Sequence, residues 1–277
     1  MALRDDNQQP ICFVATVVGA RDLAAGLRRI TLHAPEFTEP GFYGRNEAGY
    51  DEFFGLLLPP AGEAVHLPEE ISGNVRAAVS AMPEQIRPTI RWYTIRKCRP
   101  EIGEVDVDIV THGDSGPGSA WALGAQAGDE VGFFVANRIW GFVGEVEGPV
   151  LLVVDPTAVP AVFAIAERLA NDGKTLASWH LVVADLGDGK EEPGLERAAE
   201  SCASFTRVVT NPGDAPETLQ AWLEEEAPEG LRNVKSAWIC GENSLVKAVR
   251  RVVVRQWGVP KERVAFPTYW ILGQPRG

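Results

Sequence analysis

Hydrophobic and polar positions alternate with a period of two over several stretches in the first half of the chain. Residues 13–18, 27–33, 53–58, 90–97, 104–111 and 130–136 read as strands, separated by glycine, proline and acidic clusters. The clearest is 104–111, where Val105, Val107 and Ile109 face one way and Glu104, Asp106 and Asp108 the other, as in a half-buried strand. Short strands of this kind, punctuated by turn residues, predict an antiparallel barrel. Residues 61–88 hold five glycines and prolines and no convincing period, so they predict an excursion over the barrel.

After Gly148-Pro149 the texture changes. Val150-Leu151-Leu152-Val153-Val154 is an unbroken apolar run, as in a strand covered on both faces. Val159, Val162, Phe163, Ala166, Leu169 and Ala170 follow at helical spacing, and Asn171-Asp172-Gly173 stops them. Residues 181–184, 208–209 and 237–240 repeat the strand signal, with helical patterns at 195–202, 215–226 and 243–257. Alternating β and α predicts a parallel sheet with right-handed crossovers. The expected architecture is therefore two-domain: an antiparallel β-barrel over residues 1–147, then an α/β parallel-sheet domain over 148–277. Ligands of parallel sheets sit at the carboxyl ends of strands. That rule puts Asp155, Asp185 and Cys240-Gly241-Glu242 at the mouth.

Composition narrows the partners. The 277 residues are 45% hydrophobic and 23% charged, the balance of a globular protein. A net charge of −12 argues against nucleic acid or an anionic membrane as the main partner. Cys12, Cys98, Cys202 and Cys240 are scattered without a Cys-x-x-Cys pair, so no zinc or iron–sulfur site is encoded. Residues 1–10 lack an apolar signal core, and no apolar run approaches a membrane span. The expectation is a cytoplasmic protein with reduced thiols and no membrane insertion.

The chemistry concentrates in two stretches. In Arg91-Trp92-Tyr93-Thr94-Ile95-Arg96, Arg91, Tyr93 and Ile95 share one strand face and Trp92, Thr94 and Arg96 the other. A guanidinium, a phenol ring and a hydroxyl within four residues can grip a phosphate, stack on a planar ring and bond its edge. Downstream, His112-Gly113-Asp114-Ser115-Gly116-Pro117-Gly118-Ser119-Ala120-Trp121 reads as a glycine-rich turn opening into a short helix with Ser119 at its cap. The backbone N–H groups of Gly116 to Ala120 would form an anion site there. A strand, glycine-rich turn and helix about twenty residues after an Arg-x-Tyr-Thr strand suit a flavin diphosphate.

Together these stretches resemble the signature of the siderophore-interacting, FAD-dependent ferric reductases, within the wider ferredoxin-reductase-like group. The resemblance continues in Asp155-Pro156-Thr157-Ala158-Val159-Pro160-Ala161, in Cys240-Gly241-Glu242 and in Tyr269-Trp270-Ile271-Leu272-Gly273, an ordered set covering most of the chain. It implies an FAD-dependent oxidoreductase that passes electrons from NAD(P)H through FAD to a ferric siderophore or other ferric chelate. By this resemblance Arg91 pairs with an FAD phosphate, Tyr93 meets flavin or ribitol, and Thr94 approaches flavin N5. His112, Gly116, Pro117, Gly118 and Ser119 hold the diphosphate. Thr157, Ala158, Cys240 and Glu242 serve the nicotinamide, and Trp270 shields the flavin face. The flavin carries the chemistry, with no acid–base pair and no resident metal. Plainer accounts stay open for some of these: a strand-end His112, an ordinary capped helix start at 155–158, a buried apolar Cys240 and a core Trp270.

Departures from the family bear on the acceptor. Basic residues for an anionic siderophore are missing from Phe53-Phe54-Gly55-Leu56-Leu57-Leu58-Pro59 and from Ile271-Leu272, leaving Arg138 as the substrate-binding cation, with Arg276 beyond it. This favours a neutral or weakly charged chelate. Two other readings remain: a flavin reductase serving a protein electron acceptor, and a siderophore-binding flavoprotein without nicotinamide turnover. After strand 181–184, Asp185-Leu186-Gly187-Asp188-Gly189-Lys190-Glu191-Glu192 sets four acids against one lysine, which favours NADH over NADPH. Thr210 and Asn211 are the alternative adenosine contacts.

Overall fold

The computed structural model describes residues 2–4, 10–39, 42, 51–71, 74–111, 116–135, 138–140, 148–185, 193–211 and 213–273. They fall into two units, residues 2–140 and 141–276. The expected boundary after Glu147 lies in residues 141–147, outside the described set.

The first unit is the antiparallel barrel that the alternation predicts. Its strands are β1 (Ala2–Arg4), β2 (Ile11–Ala24), β3 (Leu27–His33), β4 (Phe53–Leu58), β5 (Thr89–Thr94), β6 (Lys97–Arg99), β7 (Glu104–Val110), β8 (Glu130–Val135) and β9 (Arg138–Trp140). Seven of them run in the order β5-β4-β8-β2-β3-β7-β6, and β1 pairs with β9. The two ends of that row are halves of one extended segment. Ile95 N–H donates to the Glu52 carbonyl at 2.8 Å and Arg96 N–H to the Asp106 carbonyl at 2.9 Å, so the segment leaves β4 for β7 and closes the sheet. The strand predicted at 90–97 is therefore split where it changes partner. β2 is longer than the pattern predicts because register shifts at Val17/Gly19 and Asp22/Ala24 carry it on into the β3 hairpin. Inside, the Phe54 and Phe133 rings stack with centroids 4.0 Å apart, and Phe13 and Phe37 pack around them.

Two features depart from the pattern. The polar face of β7 is covered as well as its apolar face, since Asp106 and Asp108 are only 4% and 7% exposed. Arg29 forks onto Asp108 at 2.7 and 2.8 Å, and Arg99 onto Asp106 at 2.7 Å through both Nη atoms, so guanidinium groups replace water there. Within the 61–88 excursion lies a short helix, α1 (Val75–Ser80), capped by the Asn74 side chain accepting from the Arg76 and Ala77 N–H groups. Its Val75 and Val79 join Leu57, Ile90 and Phe134 in a second apolar cluster. One turn beyond β7, α2 (Pro117–Gly124) leads back to β8.

The second unit is the α/β sheet. It comprises β10 (Val150–Val154), α3 (Val159–Asn171), β11 (Trp179–Asp185), α4 (Leu195–Ala199), β12 (Ser204–Val209), α5 (Ala215–Ala221), α6 (Glu229–Arg232), β13 (Ser236–Glu242), α7 (Asn243–Arg255), β14 (Val264–Ala265) and β15 (Thr268–Trp270). The order β12-β11-β10-β13-β14 is parallel throughout, with β15 added beside β13. β10 and β13 are central and buried along their whole length, as the apolar run predicts. The helical pattern at 215–226 holds, but after Ala221 it continues as a π turn, Trp222–Glu226. Among the described residues no helix is long and apolar enough to cross a membrane.

Candidate functional site

In the barrel, β5 and the start of α2 come together. A Cβ built on Gly118 would overlap the Tyr93 hydroxyl and lie 3.5 Å from Arg91 Cγ, so the helix backbone passes directly beneath both side chains. Twenty-five residues of sequence thus separate groups that touch. The strand face that carries Arg91 and Tyr93 is the one the alternation predicts. On the other face Trp92 packs edge-on against Phe53 and Phe134, with centroids 5.6 and 6.0 Å away. Thr94 ends the strand, buried and opposite Phe53.

The helix start differs from the expectation in one respect. Gly116, not Ser119, is the N-cap, with Pro117 in the first turn and Ser119 buried one turn in. Proline takes that position readily because its φ is already helical and it has no N–H to orphan. The intrahelical ladder opens with Ala120 N–H donating to the Gly116 carbonyl at 2.8 Å, so the Gly118 and Ser119 N–H groups precede it. Among the described residues no side chain caps this terminus, and its first turn holds no acid.

Burial pulls the Arg91 guanidinium below its ordinary value without discharging it, and its Nη1 donates to the Ile90 carbonyl at 2.7 Å. Burial pushes the Tyr93 phenol up to about 12, with the Arg91 charge pulling the other way, so the hydroxyl stays neutral near pH 7. A cation and a helix N-terminus beside a glycine fit a diphosphate, and the phenol next to them fits a planar ring. His112 lies outside the described residues, as does the side chain of Arg138, whose backbone belongs to β9.

In the α/β unit the mouth of the sheet is dominated by two buried acids. Asp155, after β10, accepts from the Thr157 N–H at 2.9 Å and the Thr157 hydroxyl through Oδ1. Through Oδ2 it accepts from the Glu242 N–H and from Trp270 Nε1, both at 2.8 Å. Burial pushes its carboxyl up, and those donors pull it back part of the way. Glu242 caps α7 by accepting from the Ser244 and Leu245 N–H groups, and its Oε1 accepts from the Leu272 N–H at 3.2 Å. Cys240 is fully buried, with its carbonyl accepting from Asp155 N–H at 3.3 Å. Ala158 is buried within the turn Pro156–Ala158, and both polar donors of Thr157 are turned to Asp155. Trp270 is half-buried in β15.

The sequence puts Asp155 and Gly241 at the mouth without a role for either. At φ 140° that glycine lies against Asp155, whose carboxylate a Cβ would strike. One signal was available: an acid directly before a helical run, as in Glu242-Asn243-Ser244, is an N-cap pattern. Of the acidic stretch after β11 only Asp185 is described, its carbonyl accepting from the Thr210 N–H at 2.7 Å and from the Thr210 hydroxyl at 3.2 Å.

Comparison with known proteins agrees with this division. Residues 16–137 match the siderophore-interacting FAD-binding domain, and residues 148–273 the siderophore-interacting protein family. The ferric vibriobactin reductase of Vibrio cholerae is 26% identical over 215 residues, 76% of either chain. The ferric acinetobactin reductase of Acinetobacter baumannii is 32% identical over 200 residues, 71% of this chain and 65% of that one. The crystal structure of a siderophore-interacting protein from Aeromonas hydrophila superposes with a TM-score of 0.67 at 26% identity, covering 95% of this chain and 92% of the other. A siderophore utilization protein from T. fusca superposes at 0.72 with 23% identity, covering 99% and 97%, a likeness of fold.

Proposed function

The chain belongs to the siderophore-interacting protein family, and on that premise we propose that it moves electrons from NADH or NADPH to iron(III) held in a siderophore or similar chelate. One NADH and two Fe(III) would yield NAD⁺, a proton and two Fe(II), and the weaker hold of oxygen ligands on Fe(II) would free the metal. Bound FAD supplies the redox chemistry, because it can take two electrons at once and release them singly. The protein's share is placement and electrostatics.

The observation that carries this reading is the corner where Arg91 and Tyr93 lie on Gly118 at the start of α2. There Arg91 and the N–H groups of Gly118 and Ser119 would hold the diphosphate, with Gly116 and Pro117 shaping the turn and His112 beside them. Tyr93 would pack on the flavin or ribitol, and Thr94 would border its reactive edge. At the other unit's mouth, Thr157, Ala158, Cys240 and Glu242 would border the nicotinamide, and Trp270 would shield the ring system. Arg138 is the proposed contact for the chelate. The acidic residues from Asp185 onward favour NADH as donor. None of the four cysteines is in a disulfide among the described residues, as suits a reducing compartment, and the reading places the enzyme in the cytoplasm.

The test is anaerobic mixing of the FAD-loaded protein with each nicotinamide, then with several ferric chelates and an Fe(II) trap. Bleaching of the flavin band by NADH, followed by its return as Fe(II) appears, is expected. A flavin that stays oxidised with both donors would remove nicotinamide from the reading, and one that is reduced but ignores every chelate would remove the acceptor.

A further inference from the structure

The C-terminal tail is tied to the sheet by side chains rather than by ladder bonds alone. β15 runs parallel to β13 over Gly241↔Thr268 and Glu242↔Trp270, with an irregular register between them. Across that irregularity, the Trp270 indole N–H donates to Asp155 at 2.8 Å and the Leu272 N–H donates to Glu242 at 3.2 Å. Asp155 is 1% exposed and Glu242 6%, and each described partner of the Asp155 carboxylate is a donor. Gly241 is what lets the two acids approach, since any side chain there would displace the Asp155 carboxylate.

The same carboxylates occupy the turn ahead of α3 and the start of α7. Asp155 caps the turn Pro156–Ala158 that leads into α3, and Glu242 caps α7. Helix N-termini of this kind are where parallel sheets ordinarily receive phosphate. At the turn ahead of α3 and at the start of α7 a buried acid already accepts from backbone N–H groups, and its charge disfavours a pyrophosphate there. The contrast is with α2, whose first turn holds neither a side-chain cap nor an acid among the described residues. What the two acids hold is the tail.

We propose that Asp155 and Glu242 are positioning residues, a paired clamp that fixes Trp270 and Leu272 across the carboxyl ends of β10 and β13 and so sets how a nicotinamide is admitted there. The nicotinamide half of this inference rests on the donor named under Proposed function. The clamp itself does not. With the indole N–H bonded to Asp155, the ring cannot turn about its own long axis without breaking that bond. The pyrophosphate of the donor is left to residues away from that turn and from the start of α7, so only the nicotinamide end meets the tail.

The experiment compares the full-length FAD-loaded protein with Trp270→Phe, which keeps an aromatic ring but removes the N–H, and with Asp155→Asn. Amide hydrogen exchange over residues 268–273 is read first. At least tenfold faster exchange there, with β11 unchanged, is expected in both variants, and unchanged exchange in both overturns the clamp. Stopped-flow flavin reduction across NADH concentration is read next, at FAD occupancy measured in the same samples. The expected result is a change of threefold or more in the half-saturating NADH concentration for both variants. Faster exchange with unaltered NADH saturation would reduce the clamp to a structural tie and overturn its positioning role. If Asp155→Asn fails to fold, Trp270→Phe decides both arms. A wild-type flavin that neither nicotinamide reduces would sink the proposed donor and with it the nicotinamide half, while the exchange arm still decides the clamp.

Discussion

The Tyr93 hydroxyl rests on the α-carbon of Gly118, with no room between them for a side chain. This contact joins the strand that bears Arg91 to the helix whose N-terminus faces it. Replacing Gly118 with alanine must move one or the other, at an overpacking cost of about 1–3 kcal/mol. Gly118→Ala is therefore expected to lower FAD affinity by roughly tenfold or more, read by flavin fluorescence titration. Gly124 at the far end of the same helix has nothing within 4 Å of a built Cβ. Gly124→Ala should leave FAD affinity unchanged and raise stability by about 0.4–1 kcal/mol. Equal FAD affinities for both variants would contradict the packing argument.

Arg91→Ala tests the charge at that corner. Losing a charge-assisted bond to phosphate is expected to cost about 1.5–3 kcal/mol, on the order of ten- to a hundredfold in Kd for FAD. Circular dichroism should be unchanged. Full FAD retention by the variant in dilute buffer would show that another group holds the phosphate.

Gly241→Ala is expected to destabilise the α/β unit by more than the about 1–3 kcal/mol of an unfavourable backbone region. The added methyl meets the Asp155 carboxylate as well as a φ of 140°. Chemical denaturation followed by tryptophan fluorescence would register this, and Gly173→Ala supplies a comparison at positive φ with open space around it. A loss no greater than that of Gly173→Ala would mean that Asp155 yields easily.

Asp106 supplies a pH prediction. Burial alone would raise its carboxyl, but bonds from Arg99 and Thr31 and the charges of Arg99 and Arg29 outweigh it and leave the group lowered. An acid with a depressed folded-state pKa stabilises the fold above its unfolded value and loses that contribution as pH falls through the folded value. Barrel stability should therefore drop below about pH 4, and the drop should be shallower in Asp106→Asn. Parallel stability–pH curves for the two proteins would place acid sensitivity elsewhere.

Electrostatics should also show in the acceptor. With a net charge of −12, the chain repels an anionic chelate at long range. Reoxidation of the reduced flavin by an anionic ferric chelate is expected to speed up as salt rises towards about 0.15 M, where screening acts over roughly 8 Å. A neutral chelate should show a flat response and a higher rate at low salt. Salt-independent rates with both would remove charge as a selector.

Much of this was legible from the sequence because it is written in short-range periodicity. The strict alternation of 104–111 marked β7, the unbroken apolar run marked β10, and the face shared by Arg91 and Tyr93 follows from a two-residue repeat. The same local rules missed β15, three residues whose only reason to be extended is β13 beside them. They also misplaced the α2 cap, where Pro117 one residue into the helix outranked the serine two further on.

The order of strands and the surface each residue meets were decided elsewhere. Asp106 and Asp108 read as solvent-facing until β3 and β6 bring Arg29 and Arg99 over them. Trp270 and Asp155 stand 115 residues apart, and no pattern around either one names the other. Periodicity reports which face of an element is apolar, since that depends on neighbours within a few positions. A contact between distant residues depends on strand order and register, which the free energy of the whole packed sheet selects. So the sequence by itself determined the barrel, the parallel sheet and the strand face that Arg91 shares with Tyr93. Only the tertiary structure decided that Gly118 lies under Tyr93, and that two buried acids at the mouth hold the tail.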